Sequence, residues 1–164
     1  MRLGQRFNRF NRLALALGTG VAATVAGVQI NSGQPAIAQN CVPLEVVGGE
    51  GTTVEKTVSP PSTGITQSNW NTDFVVPAEQ GFSRYYARIV AEDAGDYDIE
   101  VYLKYPDETV DEFFNVEAYD LATSDPLVVE AVPRETQQPY QVNIQVGGVQ
   151  VLGNTYQVSV VGCQ

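Results

Sequence analysis

Beyond residue 40 the chain alternates between apolar and polar positions. In Asp96-Tyr97-Asp98-Ile99-Glu100-Val101-Tyr102-Leu103-Lys104, the residues Tyr97, Ile99, Val101 and Leu103 fall on one side, and Asp96, Asp98, Glu100, Tyr102 and Lys104 on the other. A period of two marks a strand with one face in a core and one in water. The same alternation runs through residues 140–146 and 156–161, and shorter versions cover 42–47, 52–58, 73–76, 84–91, 113–121 and 127–132. No stretch in this region keeps apolar residues at helical spacing over successive turns, and β-branched and aromatic residues fill the periodic segments. The pattern predicts an all-β fold of about nine strands, an antiparallel two-sheet β-sandwich or jelly roll, with a closed barrel as the alternative that alternation alone does not separate.

Gly147-Gly148 and Gly153-Asn154 mark turns on either side of the short piece 149–152. Residues 140–146 and 156–161 are therefore expected to pair antiparallel around it. Ser59-Pro60-Pro61-Ser62-Thr63-Gly64 and the residues on to Asn71 form the longest non-periodic segment of this region. Two adjacent prolines remove two backbone donors, so this is a loop and not a central strand. About twenty residues precede it, too few to bury a core of their own. Residues 39–164 thus read as a single β-sandwich domain.

The first 38 residues have a different character. Arg2, Arg6, Arg9 and Arg12 precede an apolar run over residues 13–28, and Ala36-Ile37-Ala38 follows just after Pro35. A basic segment, an apolar run and small residues at the two positions a signal peptidase needs make residues 1–38 a signal peptide, cut between Ala38 and Gln39. A retained anchor is the other reading, near the lower limit of ~17 residues for spanning a bilayer. Asn40 before Cys41 argues against lipidation, and no twin-arginine pair is present. The expected location is an exported one: periplasm, extracellular medium or an internal lumen.

The whole chain has 9 Lys+Arg, 19 Asp+Glu and no His, for a formal charge of -10. Four of the bases lie before Ala38 and every acid after it, so five bases face nineteen acids in the mature chain, a charge of -14. Such a surface repels nucleic acid and anionic lipid and stays soluble, which excludes nucleic acid as a partner and the membrane after cleavage. Without histidine, Ser-His-Asp and Cys-His catalysis and His-ligated metals are excluded. The two cysteines, Cys41 and Cys163, are best read in an oxidising compartment as one disulfide, which requires their alpha carbons within about 7 Å. That would bring the first and last strands together.

Thr72-Asp73-Phe74-Val75-Val76-Pro77-Ala78, Gly81, Tyr97-Asp98-Ile99-Glu100-Val101-Tyr102-Leu103, the acidic turn near Asp107 and Thr155-Tyr156-Gln157-Val158-Ser159-Val160 resemble the bacterial pre-peptidase C-terminal domain. The resemblance covers roughly residues 72–161 and implies a small secreted jelly-roll sandwich with a binding or secretion-associated role and no reaction of its own. The chain departs from that family in standing without a peptidase domain and in its terminal cysteines.

Three surfaces are candidates for chemistry. Glu92-Asp93-Ala94-Gly95-Asp96-Tyr97-Asp98 is the densest acidic stretch, and an oxygen-rich turn with a glycine suits Ca2+, with Asp93, Asp96 and Asp98 as ligands; the spacing is not that of an EF-hand. Asp107, Glu108, Asp111 and Glu112 form a second cluster at the far end of the same strand. Paired carboxylates also serve glycoside hydrolysis, but nothing in the spacing raises one pair above the rest, so no enzyme is expected. Trp70 sits between Asn69 and Asn71 in the polar loop, while Tyr102 lies on the wet face. An exposed indole stacks on a sugar ring or anchors a protein; the alternative is that Trp70 folds back to cap the sandwich. Together these residues predict a non-enzymatic binding module for extracellular polysaccharide or an envelope protein. The rival is a structural or assembly subunit pairing through an exposed edge such as 127–132.

Overall fold

The computed structural model describes residues 40–63 and 68–164; the expected signal peptide and its cleavage point lie outside them. Nine strands form: β1 (Cys41–Pro43), β2 (Thr53–Thr57), β3 (Asn71–Val75), β4 (Arg84–Ala91), β5 (Gly95–Lys104), β6 (Val110–Leu121), β7 (Leu127–Ala131), β8 (Gln141–Gly147) and β9 (Thr155–Cys163). They divide into two antiparallel sheets. In one, β9 lies between β4 and a position shared by β1 and β2, and β7 follows β4 at the edge; in the other the order is β3-β8-β5-β6. Alternating strands between two four-position sheets in this order is the jelly-roll connection.

The core lies where the inward positions of the two sheets meet. Tyr97, Ile99, Val101 and Leu103 of β5 are fully buried, as are Val142, Ile144 and Val146 of β8, and they face Tyr85, Ala87 and Ile89 of β4 and Tyr156, Val158 and Val160 of β9. Buried tyrosines need a partner for the hydroxyl. Tyr97 donates to the Asp93 carbonyl (2.7 Å), Tyr156 to the Val146 carbonyl (3.3 Å) and Tyr85 to Gln138 Oε1 (3.0 Å).

Two expectations change. Residues 140–146 and 156–161 do not pair, because β8 and β9 belong to opposite sheets. A 3-10 turn at Val149–Val151, flanked by Gly148 at φ 119° and Gly153 at φ 86°, carries the chain across the sandwich instead of reversing it within one sheet. The expected strand 42–47 also divides. β1 pairs with β9, and after Pro43 and buried Leu44 the chain crosses to the other sheet, where Val75 N donates to the Glu45 carbonyl (2.9 Å) and Val47 N to the Asp73 carbonyl (2.8 Å). The disulfide joins Cys41 to Cys163, register partners in β1 and β9 with alpha carbons 4.1 Å apart.

Candidate functional site

The outward face of the four-stranded sheet carries amides, carboxylates, Lys104 and Tyr102, set in rows by the strand register. Asn71, Gln145, Glu100 and Asn115 form one row across β3, β8, β5 and β6; Asp73, Asn143, Tyr102 and Glu112 form the next. Alternation explains the positions, since each is the polar partner of an apolar core residue beside it.

These side chains hold one another. Asn143 Nδ2 donates to Asp73 Oδ1 (2.8 Å) and Asn71 Oδ1 (3.2 Å), and Lys104 Nζ donates to the same Asp73 oxygen (2.8 Å). Although it points outward, Asn143 is only 4% exposed, enclosed by its neighbours. The Tyr102 hydroxyl donates to Glu100 Oε2 at 2.6 Å, and the carboxylate beside it raises the phenol's pKa well above the ordinary range. Asn115 Nδ2 donates to Glu112 Oε2 (2.9 Å). The result is a surface of mutually fixed donors and acceptors, already ordered before any ligand arrives. Planar amides and carboxylates of this kind bond to neighbouring hydroxyls on a ligand.

Of the residues singled out in the sequence as candidates for chemistry, Tyr102 and Glu112 belong to these rows. Trp70 does not stand out in solvent: its ring packs on Gly147, where an added Cβ would meet it at 2.2 Å, and its Nε1 donates to the Ser59 carbonyl (2.8 Å). Ser59 and Asn69 tie the two ends of the proline loop together, with Ser59 N donating to Asn69 Oδ1 (3.0 Å) and Asn69 N to Ser59 Oγ (2.8 Å). The indole is partly buried and packs against the core.

The three acids expected to hold Ca2+ are not brought together. Asp93 Oδ2 accepts the Thr155 amide (2.8 Å), Asp98 Oδ1 accepts the Ala118 amide (3.0 Å), and Asp96 stands opposite Asp120 on β6. Among the described residues no three carboxylates converge on a metal position, whereas Ca2+ takes six to eight oxygens. Two of these carboxylates pin backbone at a turn and a bulge. In the second cluster, Asp111 makes a two-pronged pair with Arg134, Oδ1 to Nη2 at 2.6 Å and Oδ2 to Nε at 3.0 Å. The guanidinium lies 3.9 Å over the Tyr105 ring and 3.6 Å from Asp107 Oδ2. Hydrogen bonds from Arg134 hold the Asp111 carboxyl below its ordinary pKa.

Sequence reasoning missed Asn71, Asp73, Asn143, Gln145, Glu100, Asn115 and Glu112 as members of one surface. Their outward positions were visible in the alternation, but not which strands would lie side by side.

No family model and no curated protein matches this chain. Among solved structures, Pseudomonas aeruginosa AlgX is 12% identical over 71% of the chain, with a TM-score of 0.45, and this chain spans 27% of its length. The xylan-binding module CBM15 is 13% identical, covering 76% of this chain and 98% of its own, with a TM-score of 0.44. The CBM22-1 xylan-binding domain of Paenibacillus barcinonensis Xyn10C is 7% identical, over 76% of this chain and 84% of that one, with a TM-score of 0.30. At such identities nothing about ligands follows for this chain.

Proposed function

We propose that this chain is an exported, non-catalytic module that binds polysaccharide across the outward face of the four-stranded sheet. The observation that carries the reading is Asn143, an amide buried on an outward position and bonded to Asp73 and Asn71. A merely solvated face has no need to fix its polar groups in this way, whereas a hydroxyl-rich ligand gains from donors and acceptors ordered in advance. Tyr102 in the second row supplies an aromatic surface there. The Cys41–Cys163 disulfide supports an oxidising location, and among the described residues no helix is long and apolar enough to cross a membrane.

Electrophoresis through gels containing soluble neutral or uronate polysaccharides tests the reading. We expect retardation by at least one polymer, weakened about tenfold by Tyr102→Ala, a loss of the size that truncating an aromatic contact commonly produces. Wild-type mobility unchanged across the panel overturns it. Tm is expected to be the same in calcium and in chelator, because a ligand of the native state must stabilise it; a rise in Tm with calcium would restore an ion to the site.

A second reading, assembly through an edge, rests on β7. It ends the five-stranded sheet with Val128 54% exposed, and an unpaired apolar edge is a template for a second strand. Sedimentation showing dimers that Val128→Lys dissolves would favour it.

A further inference from the structure

The outward side of the five-stranded sheet breaks the rule that the four-stranded sheet obeys. An antiparallel sheet with one side in water is polar on that side. Here the outward positions of β1, β9, β4 and β7 run Pro43, Val161, Tyr86 and Glu130 in one row, and those of β2, β9, β4 and β7 run Thr53, Ser159, Arg88 and Val128 in the next; Val90 follows on β4. Val128 is exposed and Tyr86, Val90 and Val161 are half-buried, while Tyr85, Ala87 and Ile89 between them fill the core. A sheet that is apolar on both sides has a second surface to cover.

Charge sets this face apart as well. Five bases stand against nineteen acids in residues 39–164, and two of the five, Arg84 and Arg88, are outward on β4. They face Glu130 on β7 and, at the far end, Glu55 and Glu92, both held by Gln157 (3.3 and 2.7 Å). The face is therefore nearly neutral, whereas the opposite one sets Asp73, Glu100 and Glu112 against Lys104. Two copies of so acidic a chain meet with least repulsion here. Arg84 Nη1 donates to Glu130 Oε1 (3.0 Å), which leaves Oε2 open. Arg88 makes no hydrogen bond or ion pair among the described residues. An unpaired guanidinium and an open carboxylate oxygen thus lie on one face, on neighbouring strands and one row apart.

We propose that this face is a self-association surface: two copies of the chain stack their five-stranded sheets face to face about a two-fold axis, with Arg88 of each copy on Glu130 of the other. A two-fold makes such a contact reciprocal, so one geometry satisfies both pairs. Tyr86 and the valines fill the space between them, tyrosine and arginine being residues enriched at interfaces. Four strand positions at ~4.8 Å and eight residues at ~3.4 Å span about 500 Å2. That is below the ~800 Å2 per partner of a standard interface, so the association is micromolar or weaker. Side chains of the face make the contact, not the free backbone of β7, and nothing in it depends on the polysaccharide reading. The two four-stranded faces are left pointing away from each other, both open.

Sedimentation velocity of the mature chain from about 10 μM to 1 mM tests the proposal, a span that covers weak dimers. We expect monomer at the low end and dimer at the high end. Arg88→Glu and Glu130→Arg should each raise the dimer Kd at least tenfold, since like charges then meet across the contact. An equimolar mixture of the two variants should dimerise again, because every charge pair between unlike copies is attractive. Both positions are exposed, so Tm should stay unchanged and show that the variants fold. Independently of any variant, wild-type amide shifts that move with concentration should map to residues 84–90 and 157–161 and spare 100–104. A monomer at 1 mM, a dimer indifferent to Arg88→Glu, a mixture that stays monomeric, or shifts confined to another surface overturns the proposal.

Discussion

Ala118 sits at φ 53° inside β6, in a backbone region that favours glycine. It is there because Glu117 and Ala118 together oppose the single residue Asp98, between the pairs Tyr97–Tyr119 and Ile99–Val116. The Asp98 carboxylate accepts the Ala118 amide and fixes this bulge. Ala118→Gly should therefore stabilise the protein by about 1 kcal/mol, and Asp98→Ala should destabilise it by about as much, both read from urea midpoints. Asp111 makes a different prediction. Its folded pKa is depressed by Arg134, so its contribution is present above the unfolded value and is lost as pH falls below about 4. Asp111→Asn should flatten the acid limb of a stability–pH curve and leave its slope above pH 6 unchanged.

At the scale of elements, the alternation in β5 located strand and faces together, because each residue there has an unambiguous neighbour two positions on. β8 and β9 show where that reasoning stops. Glycine pairs announce a turn, but whether the chain reverses within a sheet or crosses between sheets depends on packing that comes from distant strands. Trp70 was equally ambiguous, since an indole between two asparagines suits a ligand or a cap. The residue that decides is Gly147, distant in sequence, whose missing side chain makes room for the ring. Gly147→Ala and Trp70→Ala should each destabilise by about 2–4 kcal/mol in thermal unfolding, one by collision and the other by leaving a cavity. A Trp70→Ala protein that kept full stability would show that the indole is not a cap.

For the molecule as a whole, cysteine chemistry and architecture meet at the disulfide. The two cysteines were legible as a pair because only two exist. That β1 and β9 would be direct neighbours was legible only as a requirement of distance. Bridging residues 122 apart in sequence restricts the unfolded chain, and reduction should lower stability by about 4–5 kcal/mol on the loop-entropy model. Chemical denaturation with and without reductant measures it. The rows of the outward face were not legible, because β3, β8, β5 and β6 are neighbours in an order unrelated to the order of synthesis. Their polar partners are brought together only when the whole roll closes.

The place of β9 has one more consequence. It is the shared neighbour of β1, β2 and β4, so a nascent polypeptide still lacking residues 155–163 has three strands with nothing to join them. Folding must wait until residues 155–163 have been made, and a version stopped before Thr155 should remain protease-sensitive however long it is left.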